Sequence, residues 1–430
     1  MTTSSLVSIA TSHYKNLSLE RKQEFQPLNV LIGPNGSGKS NAIQLLRFLK
    51  SCVVSPGDDT VAAAHLAYHS RILGGARMLD RSLSFPGKIE IAYELTPPPD
   101  LQDRLTSLRL ELGLYAHKPE SPVSTCLERF SSTSMVPHDK PFYYYTFHDR
   151  EIGRGMVSVY DAPGTNKSHL ERVDDIPTDV LGLAVIHELL EKLPHPPDMT
   201  PVYSVRRQLI DYVKKWHFYN SNDMNFEDIR TSEPKIGPPD IHLSSSGNNL
   251  ALVVENLTQR HLEFDESLNS AMKSILPKTR KVRTVRTGLM GLAVEWHFED
   301  TAGPFYLSEM SDGTVRMLCW AVVLLSPQLP TLLVIDEPEM GIHPAWLPIL
   351  AEWIKAASRR TQVIVTTHSP DLLDHFTDCS ESVVCFCTKD GSYFTGESLS
   401  PEMLAGKLEE GWQLGDLYRV GDPLVGGWPW

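Results

Sequence analysis

The chain has 430 residues, 53 acidic against 40 basic side chains for a net charge of -13, and 41% hydrophobic residues. That length can bury a large core and hold more than one lobe. The acidic balance excludes a protein that coats nucleic acid indiscriminately, because its mean field repels phosphates, and six cysteines without a repeating framework fit reduced thiols rather than a disulfide scaffold.

Residues 1–10 lack a basic stretch followed by a long apolar run, so no export signal is expected and the chain reads as cytoplasmic. Strand-like runs fall at residues 6–9, 28–32 and 88–95, the last closed by Pro97-Pro98-Pro99. After the second of these comes Gly33-Pro34-Asn35-Gly36-Ser37-Gly38-Lys39-Ser40, followed by an amphipathic helix over residues 41–50. A strand before and a helix after are the context that a phosphate-binding loop requires. Its glycines let backbone N–H groups turn inward around phosphates, Lys39 neutralises the β/γ oxygens, and the Ser40 hydroxyl can ligate Mg²⁺. The helix adds its positive N-terminal end.

Residues 117–141 are polar and rich in Ser and Pro and read as a surface loop; residues 142–160 read as strands. Helical periodicity follows at 179–193, 205–216 and 249–275, interrupted by Pro194-His195-Pro196-Pro197 and Gly237-Pro238-Pro239. Lys278, Arg280, Lys281, Arg283 and Arg286 form a basic run just before an apolar strand. Two readings stand for it: a solvated strand edge guarded by charge, or a stripe facing DNA or RNA. Strands resume from about residue 282.

Ser311-Asp312-Gly313 precedes a helix over about 314–325, with Ser311 as N-cap, so its hydroxyl, the Gly313 N–H and the helix dipole can all face an anion. The longest apolar stretch, residues 317–325, is too short to span a bilayer, and no membrane segment is expected. Residues 331–335 read as a fully buried parallel strand with Asp336 and Glu337 at its carboxyl end, where ligands bind in open α/β sheets. Asp336 there can hold Mg²⁺, and Glu337 is placed to polarise an attacking water. A helix at 345–358, a strand at 363–365 followed by Thr367-His368-Ser369, and a small β segment complete the chain. His375, Cys379, Cys385 and Cys387 could suggest a metal cluster, but Cys385 and Cys387 alternate on one face of a strand-like run and read as buried thiols.

The combination resembles the ABC-type ATPase heads of the RecF, SMC and OLD group, especially the stand-alone ATPases of bacteria. The residues that carry the likeness are Tyr14-Lys15-Asn16-Leu17, 31–48, Trp216-His217-Phe218-Tyr219, Gly247-Asn248-Asn249-Leu250-Ala251, 307–316, 332–344, 362–370, and the tail around Gly415 and Gly421. The resemblance implies an α/β P-loop NTPase of the ABC-ATPase head type, a mixed β-sheet lobe with a helical lobe inserted between Walker A and the signature. The corresponding divisions are 1–160, 161–280 and 281–430. It implies that ATP is bound by Gly33, Pro34, Asn35, Gly36, Ser37, Gly38, Lys39, Ser40 and Asn41, and by the signature Ser311, Asp312 and Gly313. Ser40 and Asp336 would hold Mg²⁺, Glu337 would be the catalytic base and His368 the switch histidine that senses the γ-phosphate. ATP would be sandwiched between two heads, which makes the protein a dimer or higher homo-oligomer.

The chain departs from the transporter form of this fold. It carries Ser308-Glu309-Met310-Ser311-Asp312-Gly313 in place of a longer glycine-glutamine signature, and His343 where an Asp is usual. Both departures point to the RecF/OLD branch and away from a transporter subunit. No residue is assigned as the Q-loop glutamine. No helical segment sustains the heptads of an SMC arm, and no Glu plus Asp-x-Asp set follows His368 to form a fused nuclease. Two functions are then expected: an ATP-switched sensor or regulatory subunit controlling a separately encoded effector, a nuclease or toxin, in bacterial anti-phage defence; or a RecF-like clamp on DNA.

Overall fold

Period-two alternation fills the early part of the chain and continuous apolar runs the later part, and the two patterns fold differently. In a computed structural model the described residues are 5–53, 75–80, 82–97, 107–119, 122–132, 142–151, 154–160, 170–183, 186, 191, 201–388 and 394–426. In chain order the strands are β1 (Leu6–Tyr14), β2 (Leu17–Glu24), β3 (Leu28–Ile32), β4 (Gly87–Leu95), β5 (Leu108–Ala116), β6 (Ser124–Ser132), β7 (Phe142–Glu151), β8 (Arg154–Tyr160), β9 (Leu170–Pro177), β10 (Trp216–Asn220), β11 (Thr279–Thr287), β12 (Gly291–Phe298), β13 (Phe305–Tyr306), β14 (Leu332–Asp336), β15 (Gln362–Thr366), β16 (Val383–Thr388) and β17 (Phe394–Ser398). The helices are α1 (Lys39–Val53), α2 (Pro201–Lys214), α3 (Phe226–Thr231), α4 (Leu250–Arg260), α5 (Leu262–Ile275), α6 (Asp312–Leu324), α7 (Leu347–Ser358), α8 (Pro370–Asp374), α9 (Pro401–Glu409) and α10 (Leu414–Val420). They gather into two compact units, one of residues 1–26, 33–216 and 385–397, the other of residues 27–32, 217–384 and 398–430.

The first unit is built on strands in the order β17-β2-β1-β4-β5-β6-β7-β8-β9, antiparallel from β2 to β9. Alternation decides which face is buried: Ile89, Ile91, Tyr93 and Leu95 of β4, with Leu108, Leu110, Leu112 and Leu114 of β5, are all in the core. Helix α1 buries Ala42, Ile43, Leu45, Leu46, Phe48 and Leu49, an i, i+3, i+4 stripe. The Tyr93 hydroxyl fastens it by donating to the Leu45 carbonyl at 2.7 Å.

Strand β6 lies where a polar surface loop was expected at 117–141. Its buried side chains include Thr125, Glu128 and Ser132, so no apolar alternation announced it. Burial of such groups is tolerable because they are bonded. Glu128 accepts from the Tyr145 hydroxyl, from Leu183 N at 2.8 Å and from Gly182 N at 2.6 Å.

The second unit has strands in the order β10-β14-β15-β3, with β14, β15 and β3 parallel. All residues of β3 and β15 are buried, as the continuous apolar run of a two-sided parallel strand requires. Helix α6 is buried from Thr314 to Leu324, and Trp320 anchors it by donating to the Pro338 carbonyl at 3.0 Å. A separate sheet, β11-β12-β13, completes this unit.

Residues 161–280 do not form a single helical lobe: they include β9 and β10, and they divide between the units at Trp216 and His217. The helix expected over 249–275 is broken at His261, whose extended backbone (φ -135°) ends α4 and starts α5. Most of the helix expected at 179–193 lies outside the described residues. Both Cys385 and Cys387 lie on β16, Cys385 buried as the strand reading required but Cys387 only half-buried; no metal-binding cluster occurs among the described residues. No helix among them is long and apolar enough to cross a membrane.

At Gly415, on α10, an added Cβ would stand 2.1 Å from the Pro370 carbonyl and 2.4 Å from Asp374 Oδ1. Gly415→Ala therefore forces α10 off α8 and should lower the unfolding free energy by about 1–3 kcal/mol. Urea denaturation measures this, and an unchanged midpoint would contradict the close approach.

Candidate active site

The phosphate loop opens at Gly33, immediately after the last residue of β3. Gly33 has φ +141°, and a Cβ there would lie 2.5 Å from the Phe386 carbonyl, so only glycine fits. Lys39 is 4% exposed. Its Nζ donates to Gly33 O at 2.7 Å, Pro34 O at 3.1 Å and Ser37 Oγ at 3.2 Å, which aims the ammonium into the loop. Ser40 and Asn35 are exposed at the mouth. Asn41 is turned to a structural task, donating to Asn16 Oδ1 at 2.7 Å and accepting from Lys15 Nζ at 3.3 Å. Asn16 in turn donates to Gly36 O at 2.5 Å and braces the loop from β2's leading turn.

In the second unit the parallel register sets Asp336 of β14 opposite Thr366 of β15 and Thr366 opposite Leu31 of β3, so these strands end level. Asp336 Oδ2 accepts from Asn220 Nδ2 at 2.8 Å, and its Oδ1 accepts from the Thr366 hydroxyl. Glu337 sits at φ +51°, a left-handed conformation that costs a non-glycine residue on the order of 1–3 kcal/mol. Its N–H donates to Thr366 O and Oγ1, both at 3.1 Å, and its carbonyl accepts from Ser221 Oγ at 2.6 Å. The Glu337 carboxylate is 31% exposed, with His368 Nε2 3.8 Å from its Oε1.

Glu339, two residues on, is half-buried. Its Oε1 accepts from Thr367 Oγ1 at 2.6 Å and from His368 N at 3.1 Å, which fixes the turn that carries His368. Its Oε2 has no partner among the described residues. At the signature, Ser311 caps α6 by accepting from Thr314 N at 3.3 Å. Asp312 is engaged by Arg230 Nη2 at 2.6 Å. Gly313 approaches closely enough that a Cβ would lie 3.0 Å from Gly341 O.

Each unit carries donors of its own: in the first, Lys39 and an inward-turned loop suit phosphate; in the second, the Asp336 carboxylate is a hard oxygen donor of the kind Mg²⁺ takes. The family model described as "AAA domain, putative AbiEii toxin, Type IV TA system" matches residues 28–121 and 137–374. The chain belongs to this AAA family. Among solved structures it is similar to an Smc head bound to the C-winged helix domain of ScpA, at 13% identity over 92% of this chain and 98% of that one, TM-score 0.51. It is also similar to the Pyrococcus furiosus Smc head domain with an extended coiled coil, bound to the C-terminal domain of ScpA, at 12% identity over 95% and 99%, TM-score 0.50. The fold is therefore that of an ABC-type ATPase head, a P-loop NTPase. The comparison with curated proteins found no match.

Within this AAA head the second unit brings together Asp336, Glu337 and His368. Asn41 and Asp312, both expected at the nucleotide, are held by protein partners instead. Asn220, Ser221, Glu339 and Asn16 were not assigned from sequence, although each lies in or beside a segment that carried the family likeness. Of the five cations of the basic run at and before β11, Lys278 pairs with Asp300, Lys281 with Asp265 and Arg283 with Glu295, pairings of the kind a charge-guarded strand edge carries.

Burial, with the charge of Glu337 adding to it, raises the Glu339 pKa, while its bonds from Thr367 and His368 pull the other way. The folded chain thus keeps this proton at a pH where the unfolded chain has released it. The stability it contributes is full below the unfolded pKa of about 4.3 and is lost as pH rises through the raised folded value. Glu339→Gln, whose amide oxygen can accept the same two bonds, should show a shallower fall of unfolding free energy with rising pH in that window. Urea denaturation over a pH series checks it, and an unaltered slope would place the titration elsewhere.

Proposed function

We propose that the chain binds ATP with magnesium and hydrolyses it slowly at a site completed by a second copy, and that its nucleotide state controls a separately encoded effector in anti-phage defence. The observation that carries the hydrolytic part is the Glu337 carboxylate, lifted by a strained backbone at the end of β14 and set 3.8 Å from His368 Nε2. A carboxylate so placed, next to Asp336, can accept a proton from water. Bound magnesium would supply neutralisation of phosphate charge. Lys39 binds phosphate oxygens through its ammonium, Ser40 and Asp336 supply oxygen donors, and His368 offers its imidazole to the terminal phosphate.

The shared site is supported by the open end of α6, where Ser311 and Gly313 present a hydroxyl, N–H donors and the positive end of a buried helix. The effector part is supported by the family's description, which names a putative AbiEii toxin of a type IV toxin–antitoxin system. The ion pairs along β11 count against the DNA-clamp reading.

Lys39→Ala should abolish nucleotide binding or hydrolysis, and Glu337→Gln should keep ATP bound while turnover falls on the order of a hundredfold or more. Equilibrium binding beside phosphate release measures both. Hydrolysis at the wild-type rate by Lys39→Ala would overturn the assignment. For the shared site, mixing inactive Lys39→Ala with inactive Ser311→Arg should restore some hydrolysis, since a mixed dimer holds one site with both halves intact. No rescue in mixtures shown by light scattering to contain heterodimers would point to a self-contained site.

A further inference from the structure

Ser221, the residue after β10, is 1% exposed and uses its backbone and side-chain polar groups on the acidic turn and the signature helix. Its N–H donates to Asp336 O at 3.2 Å, its hydroxyl to Glu337 O at 2.6 Å, and its carbonyl accepts from Arg316 Nη1 at 2.7 Å. Arg316 belongs to α6, is itself buried, and lies with its guanidinium 4.7 Å from the Phe226 ring centroid. The preceding residue, Asn220, holds the Asp336 carboxylate.

The bond to Glu337 matters because of what surrounds it. Glu337 is followed by Pro338, which has no N–H, so the peptide between them can be held only through the Glu337 carbonyl. A residue before proline is pushed towards extended backbone, so φ +51° is disfavoured both by the side chain and by the proline. That carbonyl also accepts a longer turn bond from Met340 N at 3.3 Å, within the same loop. The Ser221 hydroxyl is the tie from outside the loop, and Arg316 fixes Ser221 to α6.

We propose that Ser221 is a positioning residue that holds the Glu337 backbone in its left-handed conformation, and that Arg316 makes this hold depend on the placement of α6. A ligand at the Ser311 end of α6 then acts on the general base of the same copy. This rests on the reading of Glu337 as that base.

The full-length protein tests it by two independent readouts. Ser221→Ala should lower kcat for ATP hydrolysis on the order of tenfold while the half-saturating Mg·ATP concentration changes less than about twofold, as expected for loss of an outer support. Ser221→Thr, which keeps the hydroxyl, should restore most of kcat, and Arg316→Met should reproduce the loss. Hydrogen–deuterium exchange of the peptide spanning residues 337–342 should quicken in Ser221→Ala and not in Ser221→Thr, whether or not the protein hydrolyses ATP. Wild-type exchange in Ser221→Ala overturns the proposal, and so does an equal loss of nucleotide affinity and kcat. Faster exchange with unchanged kcat overturns instead the role given to Glu337. Should Ser221→Ala fail to fold, Ser221→Cys, close in volume and a weak donor, takes its place with the same outcomes.

Discussion

Parallel pairing of β14 with β15 places Asp336 opposite Thr366, and the geometry of the acidic turn follows from that register. The Thr366 hydroxyl reaches the Asp336 carboxylate, and its carbonyl and hydroxyl receive the Glu337 N–H. One residue further, Thr367 and His368 meet Glu339. A slip of one residue would turn each of these side chains to the opposite face, costing Asp336 the Thr366 hydroxyl and Glu339 the donors from Thr367 and His368. The buried apolar runs of the strands prevent that slip, so the core that stabilises the unit also aligns its chemistry.

Buried ionisable groups divide by how completely they are satisfied. Glu128, in the first unit, receives a hydroxyl and two backbone N–H groups and holds β6 to β7 and to the segment around Gly182. Glu339 and Arg316 are less complete: Glu339 Oε2 and Arg316 Nε have no partner among the described residues. An unsatisfied buried polar atom carries a desolvation cost of about 1–3 kcal/mol. Glu339 lies two residues from Glu337, and Arg316 is linked to it through Ser221.

Much of this was legible in the sequence because the motifs impose local geometry that needs no distant partner. The phosphate loop is fixed by its glycines and by an apolar strand before it; the Ser311 cap and the strand ending at Asp336 are equally local. What escaped was set by contacts remote in the chain. Asn220 and Ser221 meet Asp336 and Glu337 across more than a hundred residues, and nothing in Trp216-His217-Phe218-Tyr219-Asn220-Ser221 signals that its end will hold one carboxylate and the backbone of the acidic turn. Strand β6 was hidden because Thr125, Glu128 and Ser132 read as surface until their partners are known. The continuous helix expected over 249–275 failed at a single residue, His261, which carries no breaker chemistry of its own. The pairing of the β11 cations depends on acids that only the fold brings near.

The left-handed backbone at Glu337 sets folding preference against reach. Glycine adopts φ +51° without a Cβ penalty, and Asn or Asp tolerates it better than Glu does, so local energetics alone would choose a different residue at position 337. Only the longest of the carboxylates extends from that turn to the neighbourhood of His368 Nε2. Optimising this protein purely for heat resistance would therefore drift towards glycine at 337 and trade the carboxylate for a relaxed turn. If Glu337 is the base proposed above, a more robust head obtained by that route would be an inert one, with durability and chemistry opposed at a single dihedral angle.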